Sequence, residues 1–342
     1  MDDLWWEPGP ERLNFACVLG GMEPVPLDRA FNILVLACGR ECGEAAVAGG
    51  HPNGTYHAAG AGTAAAAGLP PMDFIILRGA YSWLERHERE QVVDLLNRCL
   101  KPGGVAYVGY NAMPGCSSIL PLQRLVHEQA RLHGGDLAQQ LANASGQVEQ
   151  LRSAGAGYFV DNDVPAMRSR LAGFVPACRE LAQRGWEALY HADVARTLAD
   201  AKLEFVASAD LWRNDPGRYL PAAQRALLDA QTMPILRETV LDVLLDTAFR
   251  RDVYIRGARR MHPMRQADWL GACRLELRAG GTARGADSCG PMLEALAGGA
   301  HSIAELARLP AMLGKGMLEV ARAAGLLVDA GQAAICNQGD WQ

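Results

Sequence analysis

The run FNILVLACG, Phe31–Gly39, most constrains what this chain can become. It is apolar almost throughout, as an inner strand of a parallel sheet covered on both faces must be. It enters a glycine-bearing turn and then ECGEAAVAGG, which predicts a short helix ending at Gly49–Gly50. GTYHAAGAG supplies a second strand, and PMDFIIL a third with Asp73 ahead of Phe74. ERHEREQVVDLLNRCLKPGG reads as an amphipathic helix with an apolar face of Val92, Val93, Leu95, Leu96 and Leu100, stopped by Pro102-Gly103-Gly104. GVAYVGYN is the next strand. Strands alternating with helices give an α/β fold with a parallel sheet.

Ahead of this unit lies a helical stretch, PERLNFACVLGGM, closed by Pro24 and Pro26. Behind NAMPGCSS the pattern changes. The chain reads as helical from Leu120 to about Leu151, with Leu122, Leu125, Val126 and Ala130 at helical spacing. Further helices are expected at 164–183, 190–201 and 219–249, with KLEFVASADL as a strand among them. HSIAELARL, GMLEVARAAGLL and two short strands after them resemble a winged helix. Its second helix has few cations beyond Lys315 and Arg322, so it lacks the electrostatic footprint of a DNA reader and is expected to pack on protein. The implied division is residues 1–118, 119–285 and 286–342.

Composition narrows the function classes. The formal charge is −5 and no basic block stands out, so no nucleic-acid partner is expected. No run of about 18 apolar residues exists, so no membrane span is expected. MDDLWWEPGPERL lacks the basic and apolar regions of a signal peptide, which points to the cytoplasm. The nine cysteines are scattered. Only Cys38 and Cys42 are close, and His51 and His57 near them do not complete a zinc pattern, so reduced thiols and no metal are expected.

Three segments carry a family resemblance: VLACG, then FIILRGAYSWL, then LKPGGVAYVGYNAMPG. The last two resemble the "HGvYSWv" and "L.pGGlayvsYN..PGw" blocks of bacterial class I S-adenosylmethionine methyltransferases of the protein-lysine-methyltransferase-like type, which carry a methyltransferase regulatory domain. WEALYHADVARTLADAKLEFVASADL and FRRDVYIRGARRM resemble the middle and regulatory regions, so the likeness spans nearly the whole chain. The resemblance implies a Rossmann-like sheet with ligands at the carboxyl ends of its strands. A glycine turn would meet the cofactor's methionine part, a carboxylate ending the second strand would hold the ribose, and the loop after the third strand would meet the adenine. Tyr81, Trp83, Tyr110, Asn111 and Pro114 would line the acceptor pocket, or Tyr81 and Trp83 would pack the sheet's end against the next domain.

The cofactor half departs from that pattern. Where the family reads roughly E-x-G-x-G-x-G, this chain has Val35, Ala37, Gly39 and Glu41. Cys38, Gly39 and Gly43 remain as vestigial cofactor-binding candidates. The stretch TYHAAGAGTAAAAGLPP contains no Asp or Glu. Only 38 residues, Arg40 to Leu77, separate the turn from RGAYSW, and a strand–helix–strand unit takes roughly 30. The second helix and the third, edge strand are therefore expected to be missing, and the new sheet edge to be covered by residues 58–71 or by another chain. The family's His before GvYSW is Arg78 here. Phe249-Arg250-Arg251-Asp252 and Arg256 are expected to form an interdomain ion network.

The sequence thus predicts a reduced class I methyltransferase sheet, a helical middle region and a C-terminal winged-helix-like module. The leading functional reading is an impaired or lost S-adenosylmethionine site, no bound cofactor, and a scaffold or regulatory role with a protein partner or a second copy. The alternative is an active methyltransferase that uses S-adenosylmethionine on protein side chains.

Overall fold

The computed structural model describes residues 9–37, 51–61, 68–77, 79–132, 137–161, 185–278 and 289–336. The centre is a six-stranded sheet of β1 (Phe31–Ala37), β2 (Gly54–Gly60), β3 (Met72–Leu77), β4 (Leu100–Asn111), β5 (Leu203–Ser208) and β6 (Phe249–Arg256), in the order β2-β1-β3-β4-β6-β5. The first four strands are parallel, β6 runs antiparallel to β4, and β5 antiparallel to β6. Among the described residues β2 ends the sheet, with eleven residues, 61–71, before β3. Eleven residues are too few for a helix and a further strand, and among the described residues the edge strand that the resemblance implies beyond β2 is absent. The expected cover for this edge includes residues 62–67, which lie outside the described residues.

The apolar run of β1 is explained by two cores. Ile33 and Val35 face one with Phe74, Ile76, Val105, Val253 and Ile255; Leu34 and Leu36 face the other with Ile75, Leu77, Ala106, Val108 and Tyr254. The first is closed by α1 (Pro10–Leu19), a helix buried all round. The second is closed by α2 (Arg86–Cys99), through Val92, Val93, Leu95 and Leu96.

Several boundaries differ from the sequence expectation. α1 ends at Gly20 and Gly21, where Gly21 takes φ +77°, before Pro24 is reached. α2 stops at Cys99, and Pro102-Gly103-Gly104 lie inside β4. The helical stretch from Leu120 is two helices, α3 (Leu120–Leu132) and α4 (Leu137–Ser153). The helix expected over 190–201 is α5 (His191–Ala199). The one expected over 219–249 is broken into α6 (Ala222–Asp229) and α7 (Pro234–Leu245), because Pro221 and Pro234 fit only at helix starts, and Phe249 already opens β6. The helix expected at 164–183 falls wholly outside the described residues.

The C-terminal part holds α8 (Pro263–Ala272), β7 (Arg274–Leu277), α9 (Gly290–Ala297), β8 (His301–Ser302), α10 (Met317–Asp329) and β9 (Ala333–Ile335). Its antiparallel sheet has the order β8-β7-β9, so β7, which precedes the expected boundary at 286, stands where a terminal hairpin strand was expected. α10 is buried through Val320, Ala321, Ala323, Ala324, Leu327 and Val328, in the same core as α1. Arg322 turns to Asp215 at 3.4 Å, and Lys315 lies 3.6 Å from the Met312 sulfur. Arg12 of α1 is ion-paired to Asp329 and donates to the Ala209 carbonyl, locking this part onto the sheet.

Candidate functional site

The carboxyl ends of β1 to β4 form the crevice where a parallel α/β sheet binds ligands. At its cofactor half, Ala37 closes β1 opposite Gly60 of β2. β2 ends Ala58-Ala59-Gly60, followed by Ala61, so no side chain there can accept from a ribose hydroxyl. The described end of β2 thus lacks the carboxylate that would hold the ribose of S-adenosylmethionine. Cys38, Gly39, Glu41 and Gly43 lie outside the described residues, as do Cys42 and Arg78. Among the described residues there is no cluster able to hold a metal ion.

The end of β3 and β4, where the resemblance implies the acceptor pocket, is tightly built. Gly79 takes φ +54° and opens the short 3-10 turn Ala80–Trp83 after β3. Tyr81 is 2 % exposed. Burial pushes its phenol up to about 12 against the pull of Arg89, so it stays protonated at neutral pH. Ser82 joins the YSW turn to the end of β4: its Oγ accepts from the Asn111 N–H at 2.8 Å. Gly109 lies close to the start of this turn: a Cβ there would come within 3.2 Å of the Gly79 nitrogen. Trp83, Asn111 and Pro114 are half-buried around this junction. Gly115 fixes the turn after β4, because a Cβ would stand 2.4 Å from the Asp246 carbonyl. The structure thus joins the YSW turn to Asn111 through Ser82, while Tyr81 packs in the sheet core and Trp83 packs beside Cys116 and Met113.

Tyr110 points elsewhere. It is fully buried, and its hydroxyl donates to Asp252 at 2.7 Å. Asp252 also binds His191 Nδ1 at 3.0 Å, the Tyr254 hydroxyl at 3.3 Å and Arg250 Nε at 2.8 Å. Arg250 reaches Asp242 at 2.7 Å and Glu238 at 2.8 Å, while Arg213 meets Asp242 at 2.5 Å. Burial raises the Asp252 carboxyl, but the attraction of Arg250 and the bonds from His191 and Tyr110 outweigh it and hold the group below its ordinary value. At Asp242 burial wins over Arg250 and Arg213, and the carboxyl is raised. Arg250 and Asp252 thus tie β6 to α5, α7 and β4. Arg251 pairs with Asp210 at 3.0 Å, and Arg256 donates to the Leu100 carbonyl at 2.6 Å.

Sequence reading missed one feature of the site. Residues Gly185–Leu189 form a strap across the ends of β4 and the YSW turn. The Glu187 N–H donates to the Ser82 carbonyl at 2.8 Å, the Leu189 N–H to the Asn111 carbonyl at 2.9 Å, and the Met113 N–H to the Leu189 carbonyl at 3.0 Å. Trp186 is buried with Cys116 and Ile119, beside Trp83 and Met113. GWEAL has no period of its own, so only its contacts reveal it.

With this geometry in place, the comparisons with known proteins become interpretable. Residues 179–256 match the family described as a predicted methyltransferase regulatory domain. The structure of PKMT2 from Rickettsia typhi in complex with AdoHcy superposes with a TM-score of 0.67 at 14 % identity, over 98 % of this chain and 76 % of that one. The uncharacterized protein sll1526 of Synechocystis sp. is 30 % identical over 306 residues, 80 % of this chain and 60 % of that protein. RP028 of Rickettsia prowazekii is 31 % identical over 61 residues, 18 % of this chain and 23 % of that protein. This chain therefore spans about 60 % of the Synechocystis relative's length. The fold is of the class I methyltransferase type. More narrowly, it is a fold like that of the Rickettsia typhi protein, and residues 179–256 match a predicted methyltransferase regulatory domain.

Proposed function

We propose that this chain is a methyltransferase-fold protein that has lost the use of S-adenosylmethionine and serves as a scaffold or regulatory partner for another protein. The observation that carries this reading is the end of β2. Ala59-Gly60-Ala61 stand where the fold's ribose-binding carboxylate belongs, on a strand that is itself the sheet edge among the described residues. Hydrogen bonds to charged groups contribute about 1.5–3 kcal/mol each, so losing a bidentate carboxylate costs orders of magnitude in affinity. Titration calorimetry with S-adenosylmethionine and S-adenosylhomocysteine tests the reading: no heat of binding is expected at millimolar ligand.

An active enzyme methylating protein side chains is the second reading. It is favoured by the intact junction of Tyr81, Ser82, Trp83 and Asn111, and by the AdoHcy bound to the Rickettsia typhi protein of the same fold. Methyl transfer asks mainly for alignment of donor and acceptor, so the chemistry itself needs no further acid or base. In that case Trp83, Asn111 and Pro114 would line the acceptor opening, and calorimetry would show binding that depends on Gly39.

A further inference from the structure

The strap shows how an extended chain sits on the acceptor end of the sheet. Leu189 forms a parallel bridge with Ala112, and the strap occupies the Ser82 carbonyl, the Asn111 carbonyl and the Met113 N–H. These are main-chain groups, which any extended peptide can use. The seat is also selective. A Cβ at Gly185 would lie 2.5 Å from the Trp83 carbonyl, so this place demands glycine. The next residue, Trp186, fills the cluster of Cys116 and Ile119, and its carbonyl accepts from Gln123 at 2.8 Å. Glu187 completes the set with an ion pair to Arg89.

The fit is incomplete. Trp186 Nε1 and Arg89 Nε are both buried there without an acceptor. A buried donor left unpaired costs free energy that release into water recovers. Two such groups at one contact weaken the hold of the strap compared with the sheet beneath it.

We propose that the Gly185–Leu189 strap is a releasable lock, and that an extended peptide segment of a partner protein, with glycine followed by a large aromatic residue, takes its place. The proposal rests on the reading that the chain engages another protein. It links the regulatory segment to the crevice: admitting the partner and lifting the strap become one equilibrium.

The test uses the full chain without S-adenosylmethionine, so its outcome is separate from the cofactor question. Hydrogen exchange is followed at the amides of Glu187, Leu189 and Met113 and compared with Ile75, Ile76 and Val108 in the core. The first three should exchange together, at least about 100-fold faster, through local opening. A labelled peptide of residues 185–190 is then titrated into the unmodified chain and into Glu187→Ala, which removes the exposed half of the Arg89 pair. Binding to the variant should be about tenfold tighter, and the peptide carrying Gly185→Val should not bind. Exchange of the three amides only together with the core would overturn the lock. Failure of the peptide to bind the variant, or equal binding of both peptides, would overturn the proposed partner.

Discussion

The two halves of the crevice contrast sharply. On the β1–β2 side the sheet ends in alanine and glycine, at an edge strand that is half-exposed. On the β4–β6 side Arg250, Asp252, Tyr110 and Tyr254 are each at most 1 % exposed and bonded together. The described end of the first half offers no carboxylate to a nucleoside. The other is over-determined, because the regulatory segment, the YSW turn and β4 all depend on it. The difference teaches that the acceptor-end motifs are maintained by packing needs that operate whether or not a cofactor binds.

The largest expected effect is on the buried network. Arg250→Met leaves Asp252 and Asp242 without their shared cation and should cost about 3–5 kcal/mol in denaturant unfolding. A loss below about 1 kcal/mol would put the network among ordinary surface pairs and break the contrast. Next is Gly115→Ala, whose Cβ would press on the Asp246–Ala248 backbone; about 1–3 kcal/mol is expected, with a lowered melting temperature.

Asp252 adds a pH dependence. Its folded carboxyl is held below the unfolded value of about 3.9, so its contribution is full above that pH and is lost as the pH falls through the folded value. The stability gap between the unmodified chain and Asp252→Asn should therefore narrow by about 1 kcal/mol or more on acidification below pH 4. A gap that stays constant with pH would show that the carboxylate's charge is not what the network uses. The smallest effect belongs to the other half: Thr55→Ala, on the exposed side of β2, should change stability by less than about 0.5 kcal/mol.

Much of the sheet was legible in the chain because its inner strands are covered twice and must be apolar throughout, as Ile33–Leu36 and Phe74–Leu77 are. The lack of a strand beyond β2, as seen among the described residues, was legible from spacing measured against the family pattern. β6 was harder: in FRRDVYIR the arginine and aspartate that point inward mimic a surface pattern, and the overlapping helix expectation ran to its first residue. Their partners lie far off, His191 by 61 positions and Tyr110 by 142, so the run of charges suggests an ion network but not which residues join it. The YSW and YN motifs could be found by their likeness to a family, but their mutual bond through Ser82 needs coordinates. The strap has no period, and although WEAL belongs to a segment that resembles the family, its place across the sheet is set by tertiary contacts.

The central claim is that the cofactor half no longer holds S-adenosylmethionine, and thermal unfolding with millimolar ligand tests it most directly. A ligand at a hundred times its dissociation constant stabilises a protein by about 2.7 kcal/mol. The account predicts no shift in melting temperature with S-adenosylmethionine or S-adenosylhomocysteine, in the unmodified chain and in Ala37→Gly alike. A clear upward shift in the unmodified chain, abolished by Gly39→Val, would contradict it and establish a working cofactor site.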